Sequence, residues 1–275
     1  MRSVFCLFFL TLFFLSPAAG ADLSLNLYEP ALARVYSGRE TLHYSISWSG
    51  GIKIGDLYLW LEPQDSGDGL VIRARVTDYG LFRFFYPVDD TFITFVSGPY
   101  KLPFRYDVHQ KEGSSMDVRR LTLYDQSKFT VRYRKNTDPE VEYAMDGPAY
   151  NEFSSFYITR VLQLDPAQEQ IVPTFVDGKR HRVAVKVFEK ERRRTLFGKI
   201  DTVKIMPRMS FKGLYDKDGD TVFRLTDDEC RVPVEIRSRI LIGSLVAELV
   251  DYSNPACSLV KEQKRRPDLG EDDLL

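Results

Sequence analysis

The chain has 275 residues, 38 lysines and arginines against 39 aspartates and glutamates, and 44% apolar side chains, for a formal charge of −1. That balance favours neither a nucleic-acid surface nor a strongly anionic-membrane surface. The length suits one large β domain or two small ones, and beyond the first residues no stretch is apolar enough to span a bilayer.

Arg2, an apolar run from Val4 to Leu15, the breaker Ser16-Pro17 and the small residues Ala19-Gly20-Ala21 have the order of a cleavable secretory signal. The run is far shorter than the roughly 20 residues needed to cross hydrocarbon, so it reads as a signal and not as an anchor. Cys6 lies inside the run, which excludes it as the acylated first residue of a lipoprotein. We therefore expect a signal over 1–21, an N-terminal segment over 22–37, a single β-rich domain over 38–260 and a solvated, disordered tail over 261–275.

From residue 41 onward, apolar and polar side chains alternate in one short segment after another, the period of a strand with one buried face. Leu42, Tyr44, Ile46 and Trp48 share a face; after the Gly50-Gly51 turn, Leu57, Leu59 and Leu61 share one with Gly55, while Tyr58 and Trp60 take the other. Beyond a Gly67-Asp68-Gly69 turn, Leu70, Ile72, Ala74 and Val76 oppose Arg73 and Arg75. Further strands are expected over 92–96, 104–108, 118–124 and 129–133, with turn residues between them. From Glu152 to Leu164 the spacing changes: Phe153, Phe156, Tyr157, Val161 and Leu164 recur at three and four, Asn151 can cap the start and Asp165-Pro166 ends it. This predicts one amphipathic helix lying against the sheet or plugging one end of it. Strands resume over 182–189, 199–206, 209–214, 222–225, 231–241 and 245–252. The fold class expected is mainly all-β, a curved antiparallel meander or open barrel carrying one helix. Arg73, Arg75, Arg237 and Arg239 on outward faces fit a lipid-facing barrel wall poorly.

Gly243-Ser244 suits a two-residue hairpin loop pairing Ile242 with Leu245 and Arg239 with Glu248. The same register sets Cys230 opposite Cys257, close enough for a disulfide in an exported chain, and we expect that bond. No Cys-x-x-Cys motif gives it a redox role.

Local motifs for chemistry are missing. His43, His109 and His181 lie in distant segments without metal-ligand spacing, and the sequence has neither a Gly-x-Ser-x-Gly elbow nor a phosphate-binding glycine loop. Asp216 to Asp220 with Asp227 is arranged partly like a calcium loop, but its glycine falls at the fourth place and Asp227 stands where a bidentate Glu belongs; a hairpin turn explains it more simply. The run Glu189 to Arg194 mixes signs as a solvated strand end does. Asp89, Asp90 and Asp107 could converge only through the fold. The aromatic segment Leu81 to Pro87 contains Phe82, Phe84, Phe85 and Tyr86, which either pack as core between sheets or line an apolar pocket mouth and meet lipid. Trp48 and Trp60 carry the same two readings. Together these six are the candidate ligand-lining residues. No catalytic residue, metal or cofactor is assigned, and the chain is not expected to be an enzyme.

The segment Gly38 to Trp48, followed by Gly51-Ile52-Lys53-Ile54-Gly55, resembles the opening motif of the exported bacterial family known as domain of unknown function 3108. Ser154-Ser155-Phe156-Tyr157, Gly198 to Thr202, and Arg231-Val232-Pro233-Val234 with Gly243-Ser244 fall in the same order. The resemblance implies a periplasmic β-rich protein and supplies no catalytic residues. The expected function is a non-catalytic binding or envelope-assembly protein with an apolar groove between sheet and helix for a small apolar or lipid-like molecule. The alternative is a structural protein whose sheet docks an envelope partner.

Overall fold

The computed structural model of the chain describes residues 23–65, 69–208, 221–240 and 243–260. The expected signal over 1–21, the strand over 209–214, the acidic loop over 216–220 and the tail over 261–275 lie outside the described residues, as do Gly67 and Asp68.

The alternating segments become strands of one antiparallel sheet. The first meander comprises β1 (Glu40–Trp48), β2 (Ile52–Pro63), β3 (Leu70–Asp78), β4 (Asp89–Ser97), β5 (Leu102–Glu112), β6 (Met116–Asp125), β7 (Thr130–Lys135) and β8 (Val141–Ala144). The second comprises β9 (Gln170–Val176), β10 (Lys179–Thr195), β11 (Gly198–Arg208), β12 (Thr221–Thr226), β13 (Pro233–Arg239) and β14 (Ser244–Ser253). Each strand pairs with its sequence neighbour, and β1 pairs with β14, so the two meanders join first strand to last in an unclosed sheet of fourteen with β8 and β9 at its edges. The edges are covered: Tyr150 exchanges backbone hydrogen bonds with Pro173 and Phe175 of β9, and Tyr143 of β8 packs edge-on against Phe175. The mainly β class, curved and open, is as expected.

The described residues form three helices: α1 (Glu29–Val35), which precedes β1, and α2 (Phe82–Phe85) and α3 (Glu152–Arg160), which interrupt the strands. Short β8 and β9, and α1 within the 22–37 segment, carry no clear periodic signal. The predicted helix starts where expected. Asn151 accepts from the Ser154 backbone N–H, and the Ser154 hydroxyl accepts from the Asn151 backbone N–H, a reciprocal cap that satisfies two otherwise orphaned donors. It ends at Arg160, not at Leu164, because the Val161 carbonyl accepts from Tyr28 and Leu162 bridges Leu27 in extended backbone. The helix is also not amphipathic in place. Its contacts reach β1, β3, β4, β9 and β12, and Phe153, Ser154, Tyr157, Ile158 and Arg160 are all buried, as befits a helix enclosed by a curled sheet.

One hairpin departs from expectation. Arg239 pairs with Ser244 and Glu235 with Glu248, and the Ile240 N–H donates to the Gly243 carbonyl across a longer loop. The partner is displaced by four residues, an even number, so the same side chains face the core in both registers and alternation alone cannot choose between them. The two glutamates tolerate being neighbours because the Glu235 carboxylate turns to Arg224 and Arg193. The Cys230–Cys257 disulfide nevertheless forms, with Cα atoms 5.9 Å apart, from turns beyond the ends of β13 and β14.

At the centre of the filled half lies a buried ion pair. Arg160 donates through Nη1 and Nη2 to Glu40 of β1 at 2.6 and 2.8 Å, and through Nε to the Arg231 carbonyl at 3.0 Å. Both side chains are fully buried. Burial opposes the guanidinium charge, but the Glu40 carboxylate outweighs it and holds Arg160 more firmly protonated than a free arginine. Removing either partner alone strands a buried charge. Glu40→Gln or Arg160→Met is therefore expected to cost about 3–5 kcal/mol in urea unfolding, whereas Glu40→Leu with Arg160→Met recovers most of that loss. Single variants as stable as the parent would show that the pair is not a stabilising anchor.

Candidate functional site

Antiparallel connection gives the barrel two unlike ends. At one, α1 and the C-terminal end of α3 fill the interior: Ala31, Val35, Tyr157, Ile158 and Leu162 are buried there among Leu42, Leu61 and Tyr252. At the other, where β1, β3, β5, β7, β9 and β13 turn into their successors, the interior is open as a cavity of about 890 Å³. Its walls are Ile46, Ile54, Val76, Val88, Val118 and Leu245, with Phe82 and Tyr86 at the mouth. Gly55 also lines it, and a Cβ there would lie 2.4 Å from the Thr77 carbonyl oxygen, so no larger residue fits this strand crossing.

The expected groove between the sheet and the length of the helix is filled by side chains. The open space begins ahead of α3, which reaches it through Glu152 alone. Of the six candidate residues, Phe82 and Tyr86 line the cavity. Phe84 and Phe85 project from α2 into solvent, Trp48 is half exposed on the same rim, and Trp60 stacks on Tyr58 on the sheet's outer face. Asp89, Asp90 and Asp107 do not converge: Asp89 and Asp107 pair outside with Arg75 and Arg105, and only Asp90 turns inward. His43 and His109 bond Asp56 and Asp117 at 2.7 and 2.9 Å. Glu189, Lys190, Glu191 and Arg193 are absorbed by pairs with Lys204, Asp227, Arg224 and Glu235.

Sequence reading missed the polar floor of this cavity, because its members are scattered over four elements, β4, β5, β6 and α3, and the segments after α2 and β9. The Tyr86 hydroxyl donates to Glu112 at 2.9 Å; Gln110 donates to Glu112 and to Asp90 at 3.3 and 3.2 Å. Arg120 donates to Gln110 and to Asp177, and Glu152 completes the group. A polar residue on the inward face of an otherwise apolar strand, such as Gln110 beside Val108, is the available signal. Arg120 Nε and Glu152 Oε2 of this floor are buried without a hydrogen-bond partner, and so are the hydroxyls of Tyr106 and Tyr124 around a separate small void behind it. Among the described residues Arg120 and, at the exposed rim, Lys135 are the cations that line the cavity, against the carboxylates of Glu112, Glu152 and Asp177 and of Asp90 behind Gln110.

The carboxyls respond to this crowding. Burial pushes Glu152 up to about 7, with Arg120 nearby pulling it down and Asp177 adding to the rise. Burial raises Asp90 to about 6, opposed by the Gln110 hydrogen bond and reinforced by the charge of Glu112. The folded chain thus keeps Glu152 protonated to a higher pH than the unfolded chain, where it titrates near 4.5, and loses stability as pH rises through that interval. Glu152→Gln should flatten part of that fall, with little change at pH 4.5 and a gain of about 3 kcal/mol above pH 7. Melting curves from pH 4.5 to 8 check this, and profiles that stay parallel would refute it.

Comparison with known proteins agrees with this architecture. No curated protein matches the chain. It is similar to the crystal structure of a beta-barrel-like protein of domain of unknown function DUF1849 from Brucella abortus, with a TM-score of 0.56 at 11% identity, covering 84% of this chain and 99% of that one. A hypothetical protein from Chlamydia trachomatis aligns over 86% of this chain and 98% of its own at 7% identity, with a TM-score of 0.34. The first likeness shows a shared barrel-like fold. The family model described as Protein of unknown function (DUF3108) matches residues 43–250, and the chain belongs to that family.

Proposed function

We propose that this chain is an exported, periplasmic and non-catalytic binding protein that holds an apolar or lipid-like molecule in the open half of its barrel. The observation that carries the reading is the cavity itself: about 890 Å³ of space walled by aliphatic side chains, within the range of pockets that take small ligands. A barrel able to stabilise itself by packing has no reason to leave such a volume open, since unfilled apolar space costs stability. The signal-like N-terminus and the disulfide support an oxidising compartment.

The floor narrows the chemistry. Its excess of carboxylates and its partnerless polar atoms favour a ligand whose polar end is neutral or cationic, with its apolar part toward Val76, Val118 and Phe82. A structural role through a sheet edge draws less support, because Tyr150 and Tyr143 cover the edges.

Mass spectrometry of organic extracts from natively purified protein is expected to find a stoichiometric amphiphile. Val118→Trp, which places an indole in the cavity, should weaken retention of a fluorescent alkyl-chain probe at least tenfold while leaving the melting temperature within a few degrees of the parent. Empty extracts together with no probe binding by the parent would end this reading.

A further inference from the structure

We infer that the open rim of the barrel docks on the surface of a phospholipid bilayer, with the α2 turn inserted among the lipids. The turn between β3 and β4 projects Leu81, Phe84 and Phe85 into solvent at 73%, 80% and 83% exposure, and α2 has no buried residue. The turn sends three apolar side chains outward, with Arg83 beside them tied to Asp78 and Phe82 turned to the cavity, so it presents a convex apolar tip with a cation at its base. A protein partner offers a face, and stable interfaces need roughly 800 Å² from each side. Fluid hydrocarbon closes around a convex tip without a preformed pocket.

The rest of the rim matches an interface between hydrocarbon and water. Topology brings the β1–β2 turn, the β3–β4 loop and the β5–β6 turn to the same end of the sheet, so Trp48, Ile52, Tyr79 and Met116, all exposed, ring the tip. Aromatic rings with one polar atom, as in Trp48, Tyr79 and Tyr86, settle at headgroup depth. Charge is sorted in the same sense. Lys53 stands 4.0 Å over the Tyr79 ring but is held by Asp56 at 3.0 Å, whereas Arg83 and Lys111 are exposed at this end and within reach of lipid phosphates. The carboxylates closest to the tip are occupied: Asp56 accepts from Lys53, Asp78 from Arg83 and the Val88 N–H, and Glu112 from Tyr86 and Gln110, while Asp138 and Glu140 stay exposed on the β7–β8 turn. At the far end, the described turns over 98–101 and 126–129 present Gly98, Lys101, Ser127 and Lys128, with Tyr100 and Phe104 as their partly exposed aromatics. The chain's overall neutrality is compatible with this, because insertion is apolar and the cations involved are local.

This docking would set the cavity mouth, lined by Phe82 and Tyr86, against the bilayer, but it does not require the cavity to be occupied. Vesicles of phosphatidylethanolamine and phosphatidylglycerol test it with the purified chain. The parent should co-sediment with them, and Leu81→Ser with Phe84→Ser and Phe85→Ser should lower partitioning about 100-fold with unchanged circular dichroism and melting temperature. The two tryptophans report orientation, since Trp48 is on the rim and Trp60 pairs with Thr41 toward the other end. Lipids brominated near the headgroup should quench Trp60→Phe, which keeps Trp48, and spare Trp48→Phe. Failure of the parent to bind vesicles, equal binding by the triple variant, or quenching of Trp60 alone would overturn the inference. So would light scattering that finds a parent dimer dissolved by the triple variant without any vesicle binding, which would make the rim a self-interface.

Discussion

The Arg160–Glu40 pair fixes where everything else sits. It ties the last turn of α3 to the first residue of β1, and its remaining donors reach the Arg231 and Cys230 carbonyls in the turn that carries the disulfide. Tyr252 of β14 adds its hydroxyl to Glu40 at 3.4 Å. One guanidinium therefore joins the helix to the seam at which the two meanders meet. Two buried charges gain little net stability over well-packed apolar groups, yet they accept one geometry and punish others. An apolar plug could slide along the barrel axis, whereas a bidentate pair cannot.

Holding α3 at one end has a consequence at the other. The helix begins at Glu152, partway along the barrel, and the strands extend past it. Where the helix does not reach, strands as far apart in sequence as β1, β5, β7 and β14 face each other across a space that their side chains do not close. The cavity is thus what remains when a short plug is anchored in a longer tube. Its polar floor lies where the plug ends, for a related reason: the N-terminus of α3 brings Glu152 to a depth at which water is scarce, while Asp177 meets Arg120 from an exposed turn.

Asymmetry between the two ends carries the functional argument. The plugged end is closed by α1, the disulfide and buried side chains, whereas the open end carries exposed aromatics and cations. A soluble barrel with no use for its rim would be expected to surround it with polar turns, as the chain does over 126–129. Exposed apolar residues concentrated around a cavity mouth place the proposed binding and the proposed docking in a single region of the molecule.

The sequence by itself determined most of the strands, the short β8 and β9 excepted, and the faces they bury. Leu42 and Tyr44, Leu59 and Leu61, and Ile72 and Ala74 are buried as their alternation predicts, because a period of two is a local property that any partner strand will honour. It likewise determined the cap of α3 at Asn151 and the pairing of Cys230 with Cys257. Tertiary structure decided the register of the last hairpin, since shifts by an even number preserve every local pattern. It also decided that α3 stops at Arg160, that Asp90 turns inward while Asp89 and Asp107 do not, and that Arg120, Glu152 and Asp177 meet. These are contacts between distant segments, and neither spacing nor composition encodes a distance across a barrel; only the closing curve of the sheet, pinned by a buried charge pair, sets it.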